Sequence, residues 1–111
     1  MARRKLPPEV KAALAELKQE LSQLYGERLK GVYLYGSYAR GDYHSESDVD
    51  ILIVLQGPIR PFEEIQRTGQ ILSDVCLKYD LLISILPVSE EWQKDRVEPL
   101  FDNVRREGIL L

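Results

Sequence analysis

The chain has 111 residues, enough for one domain with a core of its own. Hydrophobic residues at 44% and charged residues at 30% give the balance of an ordinary soluble globular protein, and no apolar run reaches the length of a membrane-spanning helix. A net charge of −3 argues against a duplex-binding protein, which carries a basic face. A lone cysteine, Cys76, forbids an internal disulfide and reads as a buried structural thiol. The start, Ala2-Arg3-Arg4-Lys5 running into Pro7-Pro8, is no secretory signal, so the cytoplasm is the expected compartment.

The elements follow in order. Val10, Leu14, Leu17, Leu21 and Leu24 recur at helical steps after Pro8, which predicts an amphipathic helix over roughly Pro8 to Leu29, with Gly26 able to shorten it. Gly31 to Tyr35 is β-branched and aromatic, a first strand. Gly36-Ser37 ends it, and a short helix from Ser37 to Arg40 follows. Gly41 to Ser47 is polar and reads as a loop. Val49 to Leu55 is nearly continuous apolar sequence, a buried strand. Gln56-Gly57-Pro58 breaks it. A helix from about Phe62 to Tyr79 carries Ile65, Leu72, Val75 and Tyr79, with Glu63 and Glu64 in its first turn. Asp80 to Leu86 is a third strand, ended by Pro87. A short turn near Ser89 to Trp92 precedes a last helix opened by Pro99 and stopped by Gly108. The expectation is one α/β domain over 1–111, a small mixed sheet flanked by helices, with 1–7 a flexible tail.

One stretch carries chemistry. Gly36-Ser37 leaves a strand, ten residues pass, and Asp48-Val49-Asp50 opens the next strand. Side chains alternate along a strand, so Asp48 and Asp50 point to one face. Two adjacent carboxylates repel unless a cation lies between them, and hard oxygen ligands that leave room for phosphate oxygens suit Mg²⁺. Gly36 permits close backbone approach to a phosphate, and the Ser37 hydroxyl can bond to it. Arg40, one helical turn on, can pair with phosphate oxygens. A nucleoside triphosphate such as ATP fits this combination.

This pattern resembles the DNA polymerase β-like nucleotidyltransferase superfamily, with its Gly-Ser, spacer and Asp-x-Asp. Within it, the spacer and small size resemble the minimal nucleotidyltransferases, antitoxin partners of HEPN-type helical toxins. The resemblance runs over roughly Gly31 to Leu111. It implies a polymerase β-like fold and catalytic metal ligation by Asp48 and Asp50. It also implies a third carboxylate on a neighbouring strand, for which Asp80 is the candidate, as metal ligand or as base toward the attacking hydroxyl; helix capping is its alternative role. The implied reaction moves AMP from ATP to a tyrosine of the toxin and silences its ribonuclease. A small-molecule nucleotidyltransferase of the aminoglycoside type is the enzymatic alternative, although too little chain follows Pro87 for a second helical domain. A non-catalytic antitoxin that neutralises its partner by contact is the other.

The remaining singular residues have plainer readings. His44 lies in a polar loop and reads as solvated. Tyr33 and Tyr35 share a strand face and read as core, whereas Tyr38 and Tyr43 read as surface packing, with stacking on a base or contact with a partner as the alternative. Trp92 either anchors an interface or covers the sheet edge. Ile109-Leu110-Leu111 either pairs in the sheet or packs on a partner.

Overall fold

The structure, a computed structural model, describes residues 6–44 and 46–111. Helix α1 spans Pro8–Tyr25, and a single 3₁₀ turn, Gly26–Arg28, follows it. Gly26 takes φ 56°, which ends the helix short of the predicted Leu29. Strand β1 is Leu29–Tyr35, α2 is Ser37–Arg40 and β2 is Val49–Leu55. Helix α3 runs Pro61–Tyr79, β3 Ile83–Ser89, α4 Glu90–Asp95, α5 Pro99–Glu107 and β4 Ile109–Leu110. Of the expected tail, Leu6 packs against the core and Pro7 precedes α1, while Arg3-Arg4-Lys5 lie outside the described residues, as does Ser45 of the loop.

The sheet has the order β3-β2-β1-β4. β1 runs antiparallel to both β2 and β4, and β3 is parallel to β2 through the α3 crossover. The mixed sheet is therefore as expected, and Ile109-Leu110 pairs within it.

Alternation gives each face its own core. Val32, Leu34, Val49, Ile51, Ile53 and Leu55 pack under α1 and α3. Leu52, Val54 and Val88 pack with Phe101 and Val104 of α5, and Tyr33, Tyr35 and Trp92 fill in around them. Trp92 thus covers the sheet, with the Arg96 guanidinium 4.4 Å from its ring.

The third strand departs from expectation. Pro87 does not end it but lies inside β3, opposite Ile53. β3 is an edge strand bonded only to β2, and an edge has a row of open N–H positions where proline costs no ladder bond. At its other end β3 begins at Ile83 rather than Asp80. Asp80 is the C-cap of α3 with φ 54° and ψ 51°, the one non-glycine residue with positive φ among the described residues. Aspartate tolerates this left-handed geometry, and it turns the chain out of the helix before the strand starts.

Each long helix also departs from expectation at one position, the remaining expected core residues packing inward. Leu24 and Ile65, expected inside, are exposed, at 40% and 45%, whereas Tyr25 and Glu64 are buried. The two buried side chains satisfy each other, because the Tyr25 hydroxyl donates to Glu64 Oε1 at 2.8 Å, and Arg67 lies 3.4 Å from the same carboxylate. Tyr25→Phe is expected to cost about 1–3 kcal/mol, since Glu64 then loses a buried donor. A urea titration checks it. Burial, followed by the bond to Glu64, holds the Tyr25 phenol well above its ordinary range. The unfolded chain releases this proton near pH ~10, so stability is full below that pH and declines as pH rises past it. Tyr25→Phe should flatten that decline.

Candidate active site

The site forms where β1 ends and β2 begins. Antiparallel pairing sets Tyr35 opposite Asp50, so the residue that follows, Gly36, turns beside the Asp50 side chain. Gly36 has φ 75° and ψ −154°, a conformation essentially reserved for glycine. A β-carbon on Gly36 would collide with Asp50 Oδ2 and lie 3.3 Å from its Cγ. The missing side chain is therefore what lets the turn and the carboxylate share one place. After Gly36 the chain makes the single turn of α2, in which the Ala39 and Arg40 N–H groups both donate to the Gly36 carbonyl at 3.1 Å.

Asp48 precedes β2 and is exposed; Asp50 is half-buried on the sheet face that α5 covers. Burial raises the Asp50 pKa above the ordinary carboxylate range, repulsion from Asp48 adds to this, and the Arg40 charge opposes it. The pair thus stands close enough to interact, as the alternation requires. Arg40 Nε lies 3.1 Å from Asp42 Oδ2, and Nη1 lies 3.7 Å from Glu107 Oε2.

A crevice of about 410 Å³ opens beside Asp50, and Asp48 is not among the residues that line it. Gly36, Ser37, Arg40 and Asp50 line one side, with Tyr35 at the base. Leu100, Asn103 and Glu107 of α5 form the opposite wall. No local signal in the sequence marks these three as site residues. Their spacing of three and four puts them on one helical face, but only the return of α5 across the sheet reveals what that face meets.

Asp80 is the candidate third carboxylate. It is exposed at the exit of α3 and absent from the crevice, and among the described residues no group of three acids, histidines or cysteines could hold a metal. Its local role is the left-handed helix stop. The residue on β3 that stands in register with Asp50 is Ser84. Two carboxylates on one face, one of them raised in pKa by burial and then by its neighbour, still fit a hard divalent cation that draws its other oxygens from phosphate or water.

The other polar residues stay outside the crevice. His44 is exposed; its N–H donates to Ser47 Oγ at 2.9 Å, and its Nδ1 accepts from the Glu46 N–H at 3.3 Å. Tyr38 is buried and stacks on Tyr43, ring centres 4.2 Å apart, which ties the loop after α2 to the core.

The model of the nucleotidyltransferase domain family matches residues 14–105. The chain belongs to this family. As a nucleotidyltransferase it has relatives in Methanocaldococcus jannaschii named as candidate protein adenylyltransferases. One is 43% identical over 76 residues, 68% of this chain and 76% of that protein. Another is 37% identical over 100 residues, 89% of this chain and 94% of that protein. Solved structures share the fold. A toxin–antitoxin structure with AMP-PNP superposes with a TM-score of 0.62 at 17% identity, over 94% of this chain and 72% of that one. The complex of a tri-AMPylated Shewanella oneidensis HEPN toxin with its MNT antitoxin gives a TM-score of 0.51 at 14% identity, over 88% and 70%. The nucleotidyltransferase has, among its described residues, no helix long and apolar enough to cross a membrane.

Proposed function

We propose that this nucleotidyltransferase moves AMP from ATP to a protein hydroxyl with release of pyrophosphate, and that the acceptor is a tyrosine of a HEPN-type toxin which the modification silences. The observation that carries the reading is the crevice in which Gly36, Ser37 and Arg40 face Asp50, with Asp48 beside it. The Ser37 hydroxyl and the backbone of Gly36-Ser37 hold the β- and γ-phosphates. Arg40 pairs with their oxygens once it leaves Glu107. Asp48 and Asp50 would hold Mg²⁺, which supplies positive charge to the phosphates as charge shifts toward the leaving group. The adenylyltransferase names of the relatives and the toxin–antitoxin neighbours support the acceptor class.

The test mixes the protein, ATP labelled on the α-phosphate, Mg²⁺ and the product of the adjacent gene. Label should appear on a tyrosine of that product and vanish with EDTA. Tight association without label would instead favour neutralisation by contact. Ser37→Ala should weaken binding of a non-hydrolysable ATP analogue by about 10- to 150-fold, the value of one hydrogen bond to a charged oxygen. Calorimetric titration measures it, and an unchanged affinity would leave the turn a purely structural feature.

A further inference from the structure

Two carboxylates hold Arg40, and they hold it in different ways. Asp42 is local to it. The Asp42 N–H donates to the Ser37 carbonyl at 3.1 Å, and Asp42 Oδ2 accepts from Arg40 Nε at 3.1 Å. Asp42 and Arg40 therefore ride with the Gly36-Ser37 turn. Glu107 comes from the last turn of α5, and its Oε2 lies 3.7 Å from Arg40 Nη1. A guanidinium can meet oxyanions along its Nε side or at its tip, where the two Nη groups form a fork. Asp42 takes the side and Glu107 takes the tip.

The α5 helix gains nothing from an acid at this position. A helix C-terminus carries partial negative charge and favours cations, such as Arg105 and Arg106 in the same turn. Glu107 opposes that dipole. Its backbone is pinned, because the Gly108 N–H donates to the Val104 carbonyl at 2.8 Å and Ile109 pairs with Leu34 of β1. The side chain is the part able to move, and at 39% exposure it has a way to solvent. Among the described residues that line the crevice, Arg40 is the one cation, and Asp50 and Glu107 are the acids.

We propose that Glu107 is an internal competitor for phosphate, a carboxylate that holds the tip of Arg40 until a triphosphate oxygen displaces it. This rests on the nucleotide reading above. Asp42 keeps its bond throughout and is the positioning residue for Arg40. The competition sorts ligands by how much else they grip. A lone phosphate offers Arg40 little more than Glu107 does, whereas a triphosphate also holds the Gly36-Ser37 turn. Glu107 retakes Arg40 as pyrophosphate leaves, which favours its release.

The test is calorimetric titration of the whole chain with AMP-PNP and with tripolyphosphate, each with Mg²⁺. It compares wild type, Glu107→Gln, Asp42→Asn, Arg40→Gln and the double variant Arg40→Gln/Glu107→Gln. Glutamine keeps the length of the side chain and removes its charge. Glu107→Gln should tighten both probes by about three- to fivefold, the upper reach of an exposed ion pair. Asp42→Asn should loosen them, because Arg40 loses its holder. In the Arg40→Gln background the gain from Glu107→Gln should vanish, since no guanidinium remains to compete for. The melting midpoint of Glu107→Gln should hold, the lost pair being offset by relief at the helix end. Weaker binding by Glu107→Gln overturns the proposal and makes Glu107 a ligand of the nucleotide. An equal gain in the Arg40→Gln background overturns it as well and leaves only general charge repulsion. Unchanged affinity, whatever the midpoint, reduces the contact to a structural ion pair and overturns it too. Tighter binding by Asp42→Asn overturns the division of roles between the two acids. Failure of the wild type to bind AMP-PNP removes the nucleotide reading itself.

Discussion

Asp50→Asn should leave the fold standing and lower nucleotidyl transfer by at least about a hundredfold. Charge stabilisation at a metal-held phosphate is worth several kcal/mol, and each 1.36 kcal/mol is tenfold in rate. Asparagine keeps the shape of the side chain that Gly36 turns beside, so the crevice survives. The sign of the stability change follows from the pKa. Burial, then Asp48, raises Asp50 above its unfolded value. Such a carboxylate contributes stability below its unfolded pKa, ~3.9, and loses it as pH rises through the raised value. At neutral pH the ionised pair works against the fold, and the amide removes half of it. Metal-free Asp50→Asn should therefore melt slightly above wild type. Added Mg²⁺ should raise the wild-type midpoint and leave the variant unmoved. Full transfer by the variant would remove the acid pair from the mechanism.

Gly36→Ala should damage both stability and catalysis. The backbone at φ 75° and ψ −154° is strained for any residue with a β-carbon, at a cost of about 1–3 kcal/mol. The added methyl also meets the Asp50 carboxylate. Relief requires the turn or the carboxylate to move, and either motion separates the phosphate-binding turn from the acid pair. Misplacement on the scale of ~1 Å can cost about a hundredfold in rate. Thermal melting and labelled transfer read the two losses separately. Serine at this position should fail equally, which distinguishes a steric fault from a missing hydrogen bond. Wild-type activity in Gly36→Ala would mean that the close approach to Asp50 is incidental.

Much of this site was legible because its parts are close in sequence. Gly36, Ser37, Arg40, Asp48 and Asp50 lie on one strand end, one turn and the next strand start, and local periodicity places each of them. Val49 to Leu55 matched for the same reason, its apolar run being short and unbroken. The misreadings have separate causes. Pro87 ends an interior strand but not an edge strand, and edge status depends on which strands pair. Asp80 looked like a strand residue because apolar sequence follows it at once, yet the helix exit consumed it. The α5 wall was hidden because Leu100, Asn103 and Glu107 meet Gly36 and Asp50 only when the chain returns across the sheet. Glu64 reads from the sequence as a first-turn carboxylate of α3, and nothing local shows that a tyrosine from α1 buries it.

Pro87 also bears on how this molecule meets others. An open strand edge is a template onto which another chain can add its own backbone, the route to strand exchange and to fibrils. Here one edge is interrupted by a residue with no N–H to donate, and the other is closed by a strand of only two residues, Ile109–Leu110. Neither border offers a long continuous ladder. A complex with this protein is therefore expected to be assembled from side chains rather than by sheet extension. Hydrogen exchange on such a complex should leave the amide protection along the outer side of β3 unchanged.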